Sequence, residues 1–339
     1  MVSRRNARCL AALSGVLLLA YGAVAIAETS AAIAEAADEP TETEHFDCRQ
    51  LAEWERPESP VEWFERSLWA GHCHVFQARA VRIGIDGVRT LALSRDIQDG
   101  VEREVARFLD GPPVFFERRG HIGRMSWSNG DPEVPASPAG MARHIEQYYR
   151  LSMGSDERIA NRSAVRLDIE PLDGLRFGHR LWLDEDTALP LKRELIDDRG
   201  RVVETFQLTE LQPPQLYQGG VVLDATPAPP QQAWGAGWLP NGFLDQPVDT
   251  QTDRHDPEVG HRIYSDGLST LSLFVEPIEE GRERLIPGLH RLGISLAVVR
   301  HVAVGGRPMQ VVAMGELPPR VLAQVAESLS WGEASEAPE

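Results

Sequence analysis

Few residues in this chain have types and spacing that invite chemistry. His72-Cys73-His74 sets two imidazoles around a thiol, donors that suit zinc or copper. Read as part of a strand running from Gly71 to Gly84, the triplet points His72 and His74 to the face opposite Cys73. A closed metal site needs four ligands, so no metal is assigned. Cys48 and Cys73 do not form a C-x-x-C redox pair. Asp184-Glu185-Asp186 is acidic, but calcium needs more oxygen ligands in a defined loop, and a solvated turn is the simpler reading. His255, His261, His290 and His301 are scattered and read as surface or packing residues. No G-x-S-x-G elbow, H-E-x-x-H pair or glycine-rich phosphate loop occurs. The residues therefore predict a non-enzymatic protein with no catalytic residue, no cofactor and no metal.

The N-terminus sets the compartment. Arg4, Arg5 and Arg8 precede an apolar run from Leu10 to Ala20, and Ala25-Ile26-Ala27 is a small-x-small triplet. Residues 1–27 thus read as a cleaved signal peptide. The stretch from Cys9 to Ala27 is just long enough to span a membrane, but its composition and closing triplet favour cleavage. Losing three arginines and no acid takes the formal charge from −17 to −20. Such a chain repels nucleic acid and anionic headgroups and attracts a basic partner. Cleavage leaves Cys48 and Cys73, which in an oxidising compartment are a candidate disulfide, with two free thiols as the alternative. Closing that loop would stabilise the fold by about 3.5 kcal/mol.

The 339 residues, 42% hydrophobic and 25% charged, suffice for two domains. Residues 28–45 are Ala/Glu/Thr-rich and read as a flexible leader. A capping box at Ser59-Pro60-x-Glu62 starts a helix from Pro60 to Trp69, which Gly71 should end. Strands follow from Gly71 to Gly84 and from Gly87 to Arg95, with shorter apolar runs around the Asp110–Pro113 turn. Ser137-Pro138 opens a second helix with Met141, Ile145 and Tyr148 on one face. Alternation resumes from Arg162 to Leu211, and these elements form a first domain over 46–211. Residues 212–232, rich in proline and holding Gly219-Gly220, read as a linker. A second domain over 233–331 has four strands and a last helix opened by Pro318-Pro319, with Val321, Leu322, Val325 and Leu329 facing inward. Residues 332–339 are a polar tail. The prolines should separate two independent cores.

Three stretches, in this order, resemble the RseB/MucB family, regulators of a sigma-E-type (AlgU-like) envelope stress response. The first is Arg176–Asp184 (RFGHRLWLD) with Pro190–Lys192 and Gly200–Phe206. The second is Trp238–Phe243 (WLPNGF). The third is Tyr264-Ser265-Asp266-Gly267-Leu268, running through Ser272–Glu276 to Gly315–Pro318. The likeness extends over about Pro60 to Trp331. Asn161 departs from it, standing where a glycine is expected, and so does His72-Cys73-His74.

The resemblance implies an α+β, β-rich fold. Its first domain would be similar to the lipoprotein-carrier (LolA/LppX-like) fold, an unclosed antiparallel β-barrel with helices on the concave side. A smaller sheet-and-helix domain would follow and bind the partner. It also implies a role: a periplasmic negative regulator that binds the periplasmic region of a single-span RseA/MucA-like anti-sigma factor. Binding would shield that region from regulated proteolysis and so restrain transcription, until lipid or lipopolysaccharide releases it. Lipid A or acyl chains are then further ligands, with Val75, Leu183, Phe206 and Leu208 as lipid-facing candidates. Tyr264 to Leu268 is the candidate motif of the partner-binding domain. No nucleic-acid partner is implied, and a homo-oligomer is compatible. The alternative is a periplasmic lipid or lipoprotein carrier, which would need only the half-barrel.

Overall fold

The structure, a computed structural model, describes residues 44–98, 100–121, 137–223, 234–246, 248, 259–279, 284–292 and 295–331. The signal peptide, most of the leader and the polar tail expected from the sequence lie outside the described residues.

In chain order the first part comprises β1 (Glu44–Asp47), α1 (Pro60–Cys73), β2 (His74–Gly84), β3 (Gly87–Gln98), β4 (Val101–Phe108) and β5 (Phe115–His121). It continues with α2 (Pro138–Glu146), β6 (Tyr149–Met153), β7 (Glu157–Ile159), β8 (Arg162–Pro171), β9 (Gly178–Asp184), β10 (Pro190–Ile196), β11 (Val202–Leu211), β12 (Gln215–Leu216) and β13 (Gly220–Leu223). The second part comprises β14 (Trp234–Ala236), β15 (Leu244–Gln246), β16 (Gly260–Ser265), β17 (Thr270–Pro277), β18 (Gly288–Leu292), β19 (Ser295–Val304), β20 (Arg307–Gly315), α3 (Pro319–Glu327) and β21 (Leu329–Trp331).

The first sheet runs β5-β4-β3-β2-β11-β10-β9-β8-β6, with β12 added to β2 and β7 to β8. All its pairings are antiparallel, and the two ends of the path do not meet, so the barrel is unclosed. Alternate residues of each strand face one side. On that side Ala78, Ala80, Leu91, Leu93, Leu167, Leu181, Leu183, Phe206 and Leu208 share one core cluster with both helices. The helices contribute Trp63, Phe64 and Leu68 from α1 and Met141 and Ile145 from α2.

The capping box forms as the sequence predicts: Ser59 Oγ accepts from Glu62 N, and Glu62 Oε2 accepts from Ser59 N, both at 3.2 Å. The helix does not stop at Gly71, however. It runs to Cys73, with His74 as its C-cap. A Cβ at Gly71 would meet nothing within 4 Å, so this glycine only costs helix propensity. His72 and Cys73 are therefore helical, and the alternating-face reading of the triplet does not apply. Asn161 has φ 65° in the turn between β7 and β8, a left-handed position that asparagine tolerates nearly as well as the expected glycine.

The segment 212–232, expected as a linker, is in its first half built into the first domain. There β12 pairs with β2 and β13 with β1. Val221 is fully buried, Tyr217 N donates to Cys73 O at 2.8 Å, and Cys48 N donates to Gly219 O at 3.1 Å. The apolar residues between the prolines give this stretch something to bury.

The second sheet runs β15-β16-β17-β20-β19-β18. Val321, Leu322 and Val325 of α3 pack on Leu271, Leu273, Val311 and Ala313 of one face. Leu329 is not helical as expected; it lies in β21, which pairs with β14.

Candidate functional site

The clearest constructed site is the seam between the two domains. Its centre is the turn from β16 to β17. Asp266 Oδ1 accepts from Leu268 N and Ser269 N at 3.0 and 2.8 Å, and Ser265 Oγ accepts from Gly267 N at 3.0 Å. This frees Asp266 Oδ2 to face the first domain. Gly267, at φ 98°, lies so close to α2 that a Cβ would stand 2.4 Å from Met141 Sδ. Glycine is required here both for conformation and for space.

Asp266 Oδ2 accepts from Arg176 Nη1 and from Tyr149 Oη, each at 2.8 Å. Neither the Arg176 nor the Asp266 side chain is exposed. Arg176 also donates to Asp173 through Nε and Nη2, at 3.2 and 3.1 Å, and through Nη2 to Asn241 O at 2.7 Å. Its guanidinium stacks within 5.0–5.5 Å of the rings of Tyr148, Tyr149 and Phe243. Burial opposes its charge, but the Asp266 and Asp173 carboxylates hold its pKa above the ordinary arginine value. Burial, and then the Asp266 carboxylate, push the Tyr149 phenol well above its usual range, so it stays protonated and donates.

Further contacts extend the seam. His144 Nε2 lies 3.0 Å from Gly242 O, and Arg320 Nη2 donates to Gly174 O at 2.6 Å. Gly242 packs so tightly that a Cβ would stand 2.4 Å from Tyr148 Cε2. Each domain also sends a leucine into the other: Leu268 belongs to the first core, and Leu175 packs on the second. At the far end Arg193 Nη2 reaches Glu316 Oε2 at 3.4 Å, with the Glu316 side chain fully buried. Burial first, then Arg193, Glu204 and Arg82, set the Glu316 carboxyl, which is pushed up to about 7. Arg82 is itself bound to Glu204 at 2.6 Å. His179, beneath the seam, has neither ring nitrogen hydrogen-bonded, and burial with Arg193 nearby lowers it to about 3. Beside the joint is a cleft of 460 Å³ that includes Asp168, Arg176, Arg180, Asp197 and Arg320. Arg180 pairs with Asp168, Arg201 with Asp197 and Arg176 with Asp173, so these three acids of its wall are paired.

The four lipid-facing candidates lie elsewhere, in the core of the half-barrel. Leu183, Phe206 and Leu208 are buried members of the cluster shared with α1 and α2, and Val75 packs against it. Tyr264 is buried in the second core, its hydroxyl accepting from Ala236 N at 3.2 Å. Cys48 and Cys73 are joined as a disulfide with Cα atoms 5.4 Å apart.

The residues first considered for chemistry are placed differently. His72 is buried at the end of α1, and burial with Arg95 and Arg118 lowers it to about 3, so it is neutral. His74 Nδ1 lies 3.1 Å from Ala70 O. Among the described residues no group of three or more metal-binding side chains converges. Asp184 is buried and is not part of a solvated turn. It pairs with Arg162 and accepts from Thr187 N at 2.9 Å, while Asp186 remains exposed. His261 stacks on Phe274 at 4.2 Å, and His290 and His301 each lie within hydrogen-bonding distance of a backbone carbonyl. His255 lies outside the described residues.

Sequence reasoning missed the seam. It also missed the buried cluster in which Arg95 and Arg118 each bind Glu102 and Glu104. The only signal for the seam was that Arg176, Asp266 and Glu316 all fall inside the stretches that carried the resemblance.

A half-barrel filled by helices and clamped through the buried Arg176–Asp266 pair to a smaller sheet-and-helix domain defines a two-domain, β-rich half-barrel protein. Residues 59–231 match the MucB/RseB N-terminal domain and residues 228–330 the MucB/RseB C-terminal domain, so the chain belongs to the MucB/RseB family. The sigma factor AlgU regulatory protein MucB of Pseudomonas aeruginosa is 31% identical over 196 residues, 55% of this chain and 61% of that protein. The sigma-E factor regulatory protein RseB of Escherichia coli K12 is 24% identical over 225 residues, 61% of this chain and 68% of the relative. Among solved structures, the Pseudomonas aeruginosa MucA/MucB complex has a TM-score of 0.63 at 26% identity, covering 81% of this chain and 99% of that one. MucB in complex with MucA(peri) has a TM-score of 0.62 at 28% identity, with the same coverage. Among the described residues no helix is long and apolar enough to cross a membrane.

Proposed function

We propose that this chain is a periplasmic regulator that binds the periplasmic region of a transmembrane MucA-like anti-sigma factor and shields it from proteolysis. In that way it restrains a sigma-E-type response. The observation that carries the reading is the two-domain likeness to MucB solved with MucA(peri), which covers 99% of that MucB chain. The seam supports it, because a clamped pair of domains presents one fixed surface to a partner and lowers the ordering cost of binding. Release by lipid or lipopolysaccharide is the second half of the proposal, with the half-barrel as receptor. A lipid or lipoprotein carrier is the weaker alternative. It leaves the second domain without a task, and α1 and α2 occupy the side where cargo would sit.

The test is capture of the purified periplasmic segment of a single-span MucA-like protein by the mature chain, followed by protease challenge of the complex. Capture and protection are the expected results. Absence of capture sinks the reading; capture without protection removes the shield and leaves the binding.

A further inference from the structure

We propose that the rim formed by the β2–β3 and β4–β5 turns docks on the surface of a lipid bilayer. Twelve large apolar side chains are exposed among the described residues, and six of them are on these two turns: Ile83, Ile85, Val88, Leu109, Val114 and Phe115. Within these two turns exposure peaks at Ile85, 63%, and at Phe115, 64%. Apolar side chains scattered singly need no explanation, but a concentration of this kind marks a protein or membrane contact.

Sheet register places both turns at one end of the half-barrel. Ile83 pairs directly with Val88, Leu91 with Phe108, and Arg107 with Phe115. The β4–β5 turn is held against β3 by Leu109 N donating to Thr90 O at 2.9 Å. Ile83, Val88, Leu109 and Phe115 therefore follow one another across four adjacent strands, on the face opposite the core. They lie at or just beyond the ends of the ladders.

Charge and area select the occupant. The chain carries −17 overall, yet the two tip carboxylates are compensated. Asp86 is bound by Arg82 at 3.1 Å, and Asp110 by Arg89 at 3.4 Å and by Thr90 N at 2.8 Å. An apolar edge whose tip carboxylates are each met by an arginine (Arg82 being shared with Glu204) suits zwitterionic lipid, whereas a basic partner finds little here to pair with. A stable protein–protein interface draws on about 20–30 residues a side. Two turns with six apolar side chains fall well short of that, whereas insertion into the headgroup–acyl boundary gains from each side chain separately.

The experiment is flotation of the mature full-length chain with phosphatidylcholine vesicles. It compares wild type, Ile85→Asp with Phe115→Asp, Ile85→Ser with Phe115→Ser, and Ile286→Asp as an exposed apolar control in the second domain. Wild type and the control should float, and both paired variants should partition about tenfold less, at unchanged melting temperature. The serine pair separates lost apolar contact from charge repulsion. Replacing part of the phosphatidylcholine with phosphatidylglycerol should weaken wild-type binding. Wild type that stays with the soluble fraction overturns the proposal, as do paired variants that float equally well. So does an oligomer that both pairs dissociate, which would make the rim a contact between copies. Loss of anti-sigma capture with flotation intact would make it a protein interface. Failed flotation with capture intact leaves the regulatory reading standing.

Discussion

Asp266 of the second domain and Arg176 of the first meet at 2.8 Å, with neither side chain exposed. A buried pair of this kind is costly to make and costlier to break. Asp266→Ala leaves a desolvated guanidinium and an unpaired Tyr149 hydroxyl. It should destabilise the protein by about 3–5 kcal/mol in urea denaturation. Arg176→Met combined with Asp266→Leu should be markedly less harmful than either change alone. A single Asp266→Ala cost near zero would mean that other contacts hold the seam.

That pair also shows where sequence reading stops. Periodicity located α1, α2, α3 and most strands, because each exposes a repeating apolar face to its core. It treated charges as outward-facing, yet Arg82, Arg95, Glu102, Glu104, Glu204 and Glu316 are all buried: Arg95 meets Glu102 and Glu104 across one hairpin, whereas Arg82 meets Glu204, and Arg193 meets Glu316, from strands far away in sequence. Local pattern carries no information about such partners. The same limit hides the joint between the two cores: nothing near Leu268 in the chain says that it packs with residues of the first domain. Gly71 misled for a different reason, since glycine signals a helix end only when the backbone there turns left-handed. Cys73, at the true end of the helix, is bonded to Cys48.

Glu316 makes stability pH-dependent with an unusual sign. Its carboxyl is pushed from 4.5 up to about 7 by burial, so the native state holds a proton that the unfolded chain has lost. That contribution is fully present below pH 4.5 and lost as pH rises through about 7, at about 1.4 kcal/mol per pH unit. Glu316→Gln should remove this slope. The stability difference between wild type and variant, measured by urea denaturation at several pH values, should fall across that window. A constant difference would show that Glu316 is already ionised in the native protein.

The buried histidines act in the opposite direction. His72 and His179 are lowered by burial from 6.5 to about 3, so the unfolded chain binds protons that the native state refuses. Their contribution is present above pH 6.5 and is lost as pH falls toward 3. Wild type should therefore be most stable near pH 6.5–7 and lose stability on acidification. His179→Phe, an aromatic ring only modestly larger and without a proton to take, should shallow the acid limb. An unchanged limb would remove His179 from the account.

The bond between Cys48 and Cys73 ties the end of α1 to the turn following β1. Thiol titration of the mature protein in denaturant should find no free thiol without reductant. Reduction, or Cys48→Ser with Cys73→Ser, should cost about 3.5 kcal/mol on the chain-entropy account. Two titratable thiols in the untreated protein would rule the bridge out.

The same bond bears on lipid control. Leu183, Phe206 and Leu208 already pack against α1 and α2, so an acyl chain can reach them only if a helix moves aside. A lipid releases the partner only if it binds the free form better than the complex, and a tenfold release needs a coupling of about 1.4 kcal/mol. Replacing apolar contacts of α1 with those of an acyl chain is a near-balanced exchange, so a small bias decides it. The disulfide pins the C-terminal end of α1, and removing it should lower the cost of displacing the helix. The Cys48→Ser, Cys73→Ser protein is thus expected to bind amphipathic lipid more tightly and to release the anti-sigma segment at lower lipid concentration. Partner affinity would be measured with and without lipid for wild type and the serine pair, below the melting temperature of each. Wild-type affinity that ignores lipid ends the sensor reading. A serine pair that responds like wild type means α1 is not the element that moves.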